Sequence, residues 1–192
     1  MKKKASSINS IYIISGKWKG KKIYVINNFL LKPTMNFIRQ NLFNWIIKED
    51  IHMFKCLDCY AGTGSLSFEA LSRNAFSATL IENNYKIFQQ LKKNIFLLKI
   101  KNIFLIYKNT LDFLSKKGVQ HDLIFVDPPF CQKNFLLEQT CFLLEKNNWL
   151  KKNARIYIEY KTKSKNVTLP KNWMIYRKKK FSIVTYALCI RN

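Results

Sequence analysis

The sequence predicts an α/β fold: a doubly wound, mostly parallel seven-stranded sheet with helices on both faces. Three observations lead there. From residue 54 onward, short apolar runs alternate with segments of helical periodicity, the pattern of parallel strands joined by crossover helices. A glycine loop, Gly62-Thr63-Gly64, stands between the first such run and a helical segment. A later run, Ile124-Phe125-Val126, stops abruptly at Asp127-Pro128-Pro129-Phe130. Proline cannot continue a central strand, so the backbone must leave the sheet there, at the carboxyl edge where open α/β sheets place their ligands.

In chain order, Ile11–Ile14 and Ile23–Ile26 read as the strands of a small hairpin, joined by Ser15-Gly16-Lys17-Trp18-Lys19-Gly20-Lys21-Lys22. Pro33 and Thr34 open a helix through Ile47, with Ile38, Leu42, Trp45 and Ile46 on one face. Strands are predicted over 54–58, 78–82, 103–107, 122–126 and 155–159, and helices over 65–73, 84–98, 110–116 and 134–146. The tail differs, because Trp173–Arg177 and Ser182–Ile190 read as two strands with no helix between them. An antiparallel hairpin at the sheet edge is expected. The chain divides into a basic extension, 1–32, and an α/β domain, 33–192.

At 192 residues with nearly half of them apolar, the chain can bury a real core. No apolar run reaches the ~18–20 residues of a membrane span. Residues 5–10 are polar where a signal peptide would be apolar, so a cytoplasmic monomer is expected. The net charge is +23, and only five of the 34 basic residues are arginine, a bias that an AT-rich genome also produces. The distribution says more. Met1–Lys48 holds ten Lys/Arg and no acid, and Tyr160–Asn192 holds nine and no acid. Two acid-free ends point to a polyanionic partner, nucleic acid above all. Lys17, Lys19, Lys21 and Lys22 around Trp18 are candidates to grip phosphate and stack a base. Lys178-Lys179-Lys180 reads as a charged turn or a further RNA contact.

The glycine loop admits three nucleotide readings. A phosphate-binding loop needs a trailing Gly-Lys-Ser/Thr, which is missing. A dinucleotide loop wants a third glycine where Ser67 stands. The third reading is an S-adenosylmethionine loop, with Asp58 on the strand before Ala61-Gly62-Thr63-Gly64. A carboxylate there suits a sulfonium and an ammonium, and would repel a pyrophosphate. Glu82, 24 residues on, ends the next strand where ribose hydroxyls are conventionally bound. Cys56-x-x-Cys59 lacks a second ligand pair at metal-binding spacing, so no metal is expected and buried free thiols are. His121 is expected at the surface.

Asp127-Pro128-Pro129-Phe130 resembles the Asp-Pro-Pro-(Tyr/Phe) signature of S-adenosylmethionine-dependent amino methyltransferases. Leu57-Asp58-Cys59 through Glu69-Ala70-Leu71-Ser72-Arg73, together with Ile124–Phe130, resembles one family more closely. It is the bacterial class I, Rossmann-like enzyme that methylates a guanine 2-amino group in 16S ribosomal RNA. The likeness extends through Ile14-Ser15-Gly16-Lys17-Trp18-Lys19-Gly20, Leu42-Phe43-Asn44-Trp45 and Asn147-Asn148-Trp149-Leu150. It implies S-adenosylmethionine as cofactor and the small (30S) ribosomal subunit, or an assembly intermediate, as partner. Asp127 and the Pro128 carbonyl would accept the two amine N–H bonds, Pro129 would stiffen the turn and Phe130 would stack on the base. Asn109 and Thr110 would meet the adenine. The segment Lys32-Pro33-Thr34-Met35-Asn36-Phe37-Ile38-Arg39-Gln40 departs from the family pattern: Asn36, Phe37 and Gln40 replace two acids and an arginine. Arg39, which matches, is a candidate RNA contact. Two other functions share the motifs: a DNA adenine-amine methyltransferase, and an RNA-binding assembly factor that has lost catalysis.

Overall fold

The computed structural model describes residues 9–26, 34–47, 53–129, 133–162 and 167–192. A two-stranded antiparallel sheet, β1 (Asn9–Tyr12) and β2 (Lys22–Val25), precedes helix α1 (Asn36–Ile47). There follow β3 (Lys55–Asp58), α2 (Ser65–Ser72), β4 (Ser77–Glu82), α3 (Tyr85–Leu97), β5 (Ile103–Tyr107), α4 (Thr110–Leu114), β6 (His121–Val126) and α5 (Lys133–Lys146). The tail is all strand: β7 (Leu150–Lys161), β8 (Trp173–Phe181) and β9 (Val184–Arg191). The main sheet has seven strands in the order β5-β4-β3-β6-β7-β9-β8. The first five of these, through β7, run parallel, and β9 lies antiparallel between β7 and β8. This is the predicted architecture, including the C-terminal hairpin. Among the described residues, no helix is long and apolar enough to cross a membrane.

Successive residues of a strand face opposite sides of the sheet, and the two cores show it. Cys56, Leu123 and Phe125 join one core with α1, α2 and α3. Leu57, Ile124 and Val126 join the other with α4 and α5. Because β3, β4 and β6 are covered on both faces, their sequences are nearly continuous apolar runs. Three sequence expectations need correction. His121 is buried, as the first residue of β6, and its ring stacks on Trp149 at 6.2 Å. Lys178-Lys179-Lys180 lies inside β8, not in a turn. β7 begins at Leu150, five residues before the predicted start, and its pairing with β6 carries a register shift between His121 and Leu123.

The N-terminal hairpin is sewn to the domain. Ile13 and Ile23 are fully enclosed in the α1–α3 core, a burial worth about 1.5–3 kcal/mol for each side chain. Asn94 of α3 accepts from the Tyr24 N–H at 3.1 Å and donates to the Tyr24 carbonyl at 2.9 Å, completing the exposed edge of β2. Glu69 of α2 accepts the N–H groups of Ile14 (2.8 Å) and Ser15 (3.0 Å). The Ser72 hydroxyl accepts from Trp18 N–H (3.0 Å) and donates to the Ser15 carbonyl (2.6 Å). Gly16, at φ +82°, passes so near that a Cβ would lie 1.8 Å from the Ser72 carbonyl oxygen. Glu69 also takes Arg73 at 2.7 Å and lies 3.9 Å from Arg39, and both Glu69 and Arg39 are fully buried. Glu69→Ala strips two part-buried amides and the Arg73 guanidinium of their acceptor and leaves the buried Arg39 charge unbalanced. A loss of about 3–5 kcal/mol in urea unfolding is expected. A loss below about 1 kcal/mol would mean that the carboxylate is dispensable.

Candidate active site

The strand order reverses at β3, which has β4 on one side and β6 on the other, and the site lies at that switch point. Each of four neighbouring strands delivers a polar group at its carboxyl end: Asp58 from β3, Glu82 from β4, Asn109-Thr110 after β5 and Asp127 after β6. The loop after β3 is tied down from both sides. Cys59 N–H donates to the Phe125 carbonyl (3.0 Å), and Ala61 N–H to the Ile81 carbonyl (2.9 Å). Gly62 and Gly64 adopt φ +52° and +74°. A Cβ on Gly64 would come within 2.6 Å of Phe68 and 2.8 Å of Leu91, so only glycine lets α2 start there. Thr63 is buried, and its hydroxyl accepts from Ser65 N–H at 3.3 Å.

Asp58 is 3 % exposed and accepts from the Ser67 hydroxyl at 2.7 Å. Burial pushes its carboxyl up to about 7, against the Ser67 hydrogen bond, and the nearby Asp127 and Glu82 charges push the same way. A buried carboxylate facing two other acids wants a cation. The site therefore fits the sulfonium and ammonium of S-adenosylmethionine on electrostatic grounds. Glu82 is buried too and accepts from Gly62 N–H (3.0 Å) and Asn84 N–H (2.7 Å). Its pKa is raised by burial, opposed by the amides of Asn84, Gly62 and Asn83. Three amides on two carboxylate oxygens leave one lone pair for a ribose hydroxyl.

Asn109 is exposed, and its side-chain oxygen caps α4, accepting from Leu111 (2.9 Å) and Asp112 (3.4 Å) N–H. Thr110 is buried, and its hydroxyl donates to the Cys59 carbonyl. Both secure the site's wall. Asp127 is half-buried, Pro128 buried and Pro129 exposed, while Phe130 lies outside the described residues. The Thr34 hydroxyl lies 3.5 Å from Asp127 Oδ2, a long contact that brings the segment before α1 to the site.

Two groups in the site were not singled out from sequence as site residues. Ser67 stood out only as a missing glycine, yet it holds Asp58. Thr34 reads from sequence as the opening of a helix, with no sign of its contact with Asp127. Arg39 needs correction: expected to face RNA, it is 0 % exposed, donates to the Tyr12 carbonyl (2.9 Å) and Asn36 Oδ1 (2.6 Å), and approaches Glu69. Lys17, Lys19, Lys21 and Lys22 are exposed. Trp18 is half-buried against the α1–α3 core, with the Lys17 ammonium 4.2 Å from its ring centroid. Cys56 and Cys59 are free, buried and on opposite faces of the sheet, and burial holds both thiols well above their ordinary range. Among the described residues no His/Cys/Asp/Glu group has the geometry of a metal site.

The Asp58 carboxyl gives a pH signature. Between its unfolded value of 3.8 and its folded value of about 7, the native state holds a proton that the unfolded chain has lost. Stability from this group is therefore full below about pH 4 and declines as pH rises through 7. Asp58→Asn, neutral throughout and still able to accept from Ser67, should remove that decline. Without ligand, the variant should gain on the wild type by on the order of a few kcal/mol between about pH 4 and 7 in urea titrations, with no further gain at higher pH. Parallel pH profiles for the two proteins would refute the assignment.

Comparison with known proteins agrees with this geometry. The sequence profile of the family described as "Conserved hypothetical protein 95" matches residues 11–190. The ribosomal RNA small subunit methyltransferase D of Buchnera aphidicola is 49% identical over 187 residues, covering 97% of this chain and 94% of the relative. That of Escherichia coli is 43% identical, covering 95% of this chain and 91% of the relative. A solved structure described as a putative methyltransferase from Escherichia coli superposes with a TM-score of 0.88 at 43% identity, over 95% of this chain and 98% of that one. By the span of the profile and by identity along almost its whole length, the chain belongs to the conserved hypothetical protein 95 family, among the ribosomal RNA small subunit methyltransferases D.

Proposed function

We propose that this chain methylates the exocyclic 2-amino group of a guanine in 16S ribosomal RNA, using S-adenosylmethionine. Its substrate is the small ribosomal subunit or an assembly intermediate, in the cytoplasm. The names of its relatives support the RNA substrate. The observation that carries the reading is the convergence of Asp58, the Gly62–Gly64 loop and Glu82 on one side of the switch point with Asp127-Pro128-Pro129 on the other.

S-adenosylmethionine, when bound, supplies a methyl group activated by a sulfonium. The chain's own residues do the positioning. Asp58 lies where it offsets positive charge, and its own charged form is favoured once a cation is beside it. Glu82 offers acceptors to ribose, and the Gly62–Gly64 loop leaves room for close backbone approach. A guanine amine is a poor nucleophile because its lone pair is delocalised into the ring. Asp127 and the Pro128 carbonyl accept its two N–H bonds, which favours a geometry with the lone pair aimed at the methyl group. Orientation and electrostatics then supply the acceleration. The amine loses its proton after the methyl has moved, so Asp127 need not be a strong base. Buried in a helix, the base could not reach this turn, so the target must be unpaired or flipped out.

Asp127→Ala should lower the rate of labelled methyl transfer to 30S particles lacking the modification by at least about 100-fold. Binding of S-adenosylmethionine by calorimetry should be retained. Label should be recovered as guanine methylated on the 2-amino group, with none on duplex DNA. Cofactor binding with no transfer to any RNA would favour an assembly factor, and full activity in Asp127→Ala would remove the residue from the mechanism.

A further inference from the structure

The described exposed surface carries an aromatic pair that the mechanism does not use. Phe37, in the first turn of α1, and Phe181, the last residue of β8, meet edge to face with ring centroids 4.5 Å apart. Contact does not bury them, for they remain 38% and 42% exposed. Ring pairs usually retreat into a core, and this one sits at a strand end with an exposed Ile183 two residues on.

The topology fixes which edge of the sheet this is. Phe181 pairs with Val184, and Val184 pairs with Lys161 at the carboxyl end of β7. β7 runs parallel to β6, which ends one residue before Asp127. The ring pair therefore lies on the same edge as the candidate site. The chain gives the same answer: Thr34 touches Asp127 at 3.5 Å, and Phe37 follows three residues later. Three Cα–Cα steps span at most about 11 Å.

Charge narrows the occupant. Phe181 closes a strand whose preceding residues, Arg177, Lys178, Lys179 and Lys180, are all exposed. By alternation along the strand, Lys179 shares the Phe181 face, while Lys178 and Lys180 face the other way. From Tyr160 to Asn192 the sequence has no acid. Flat apolar rings beside two cations, Arg177 and Lys179, suit a strand with a negative backbone and exposed bases.

Resting on the function proposed above, we propose that Phe37 and Phe181 form a stacking platform for an unpaired RNA base next to the target nucleotide. Arg177 and Lys179, on the Phe181 face of β8, hold the phosphates of the same strand. Phe37 and Phe181 are positioning residues: they set how the RNA enters, and Asp127 meets the amine.

The test uses the full chain and two probes: 30S particles lacking the modification, and a single-stranded RNA of about ten nucleotides carrying 2-aminopurine, whose fluorescence is quenched by stacking. Phe37→Leu, Phe181→Leu and the double variant keep apolar volume and lose the flat ring, and Phe181→Trp restores one. The double variant should raise KM for 30S particles about ten-fold, with kcat within about two-fold. Its 2-aminopurine quenching should fall, and Phe181→Trp should keep the quenching. Changing Arg177 and Lys179 to Gln should flatten the plot of log affinity against log salt by about 1.4, whereas the ring variants should leave that slope alone. Leu variants that bind and quench like wild type would overturn the platform. So would affinity lost without change in quenching, or a ring pair found to hold a ribosomal protein or a second copy of this chain. Wild-type protein that methylates no RNA would instead overturn the proposed function, an outcome read before any variant is compared.

Discussion

A single buried carboxylate, Glu69, holds three parts of this molecule in register. It faces two consecutive amides of the N-terminal hairpin, a guanidinium from its own helix and a second guanidinium from α1. A carboxylate this deep in an apolar core is tolerated only if donors surround it. The reverse holds as well. Arg39 is buried, and burial lowers its pKa in spite of the nearby Glu69 charge. The two ions depend on each other for charge balance across 3.9 Å, although Arg39 Nε and Nη1 have no hydrogen-bond partner among the described residues. Since α1 begins next to the residues that reach Asp127, an ion pair remote from the chemistry sets one wall of the candidate site.

At the site the physical constraint is different. Parallel strands end together, so groups far apart in sequence arrive within one crevice with little further arrangement. Three acids collect there, and the costs are visible in the upward shift of Asp58 and in the amides and hydroxyl assigned to Glu82 and Asp58. The fold carries that unfavourable concentration of negative charge ready for a positively charged ligand. The basic surface outside and the acidic crevice inside give opposite electrostatic instructions to the two molecules the site is proposed to join.

Much of this was legible in the sequence because it depends on local pattern. Alternating apolar runs gave every strand of the parallel sheet, and the stops at Gly62 and Pro128 located the strand ends that matter. The acid at 58, the glycines at 62 and 64 and the acid at 82 read correctly as neighbours because strand ends are neighbours in any such sheet. What could not be read depends on partners distant in the chain. Arg39 looks like a surface cation until Tyr12 and Glu69 close around it. His121 looks like a polar residue before a strand until Trp149 stacks on it. Lys178–Lys180 lacks any apolar alternation, so only its pairing with β9 reveals a strand. Ser67 holds Asp58 through one turn of helix geometry after a bend, a relation that sequence spacing alone does not announce.

The placement of β9 bears on the order in which the molecule can assemble. β8 is made before β9, and β9 is the described strand that pairs with both β7 and β8, so the sheet cannot close until the last strand is made. Until then β7 presents a bare edge, and β8 is a strand waiting for its neighbour. An uncommitted strand is a template for the wrong chain. The run Arg177-Lys178-Lys179-Lys180 makes β8 a poor partner for another copy of itself, since like charges would be brought face to face across each pairing. β9, by contrast, is buried from Val184 to Cys189 and carries the apolar surface. The charge that suits β8 to the proposed RNA contact thus also guards a newly made chain while its sheet is still open.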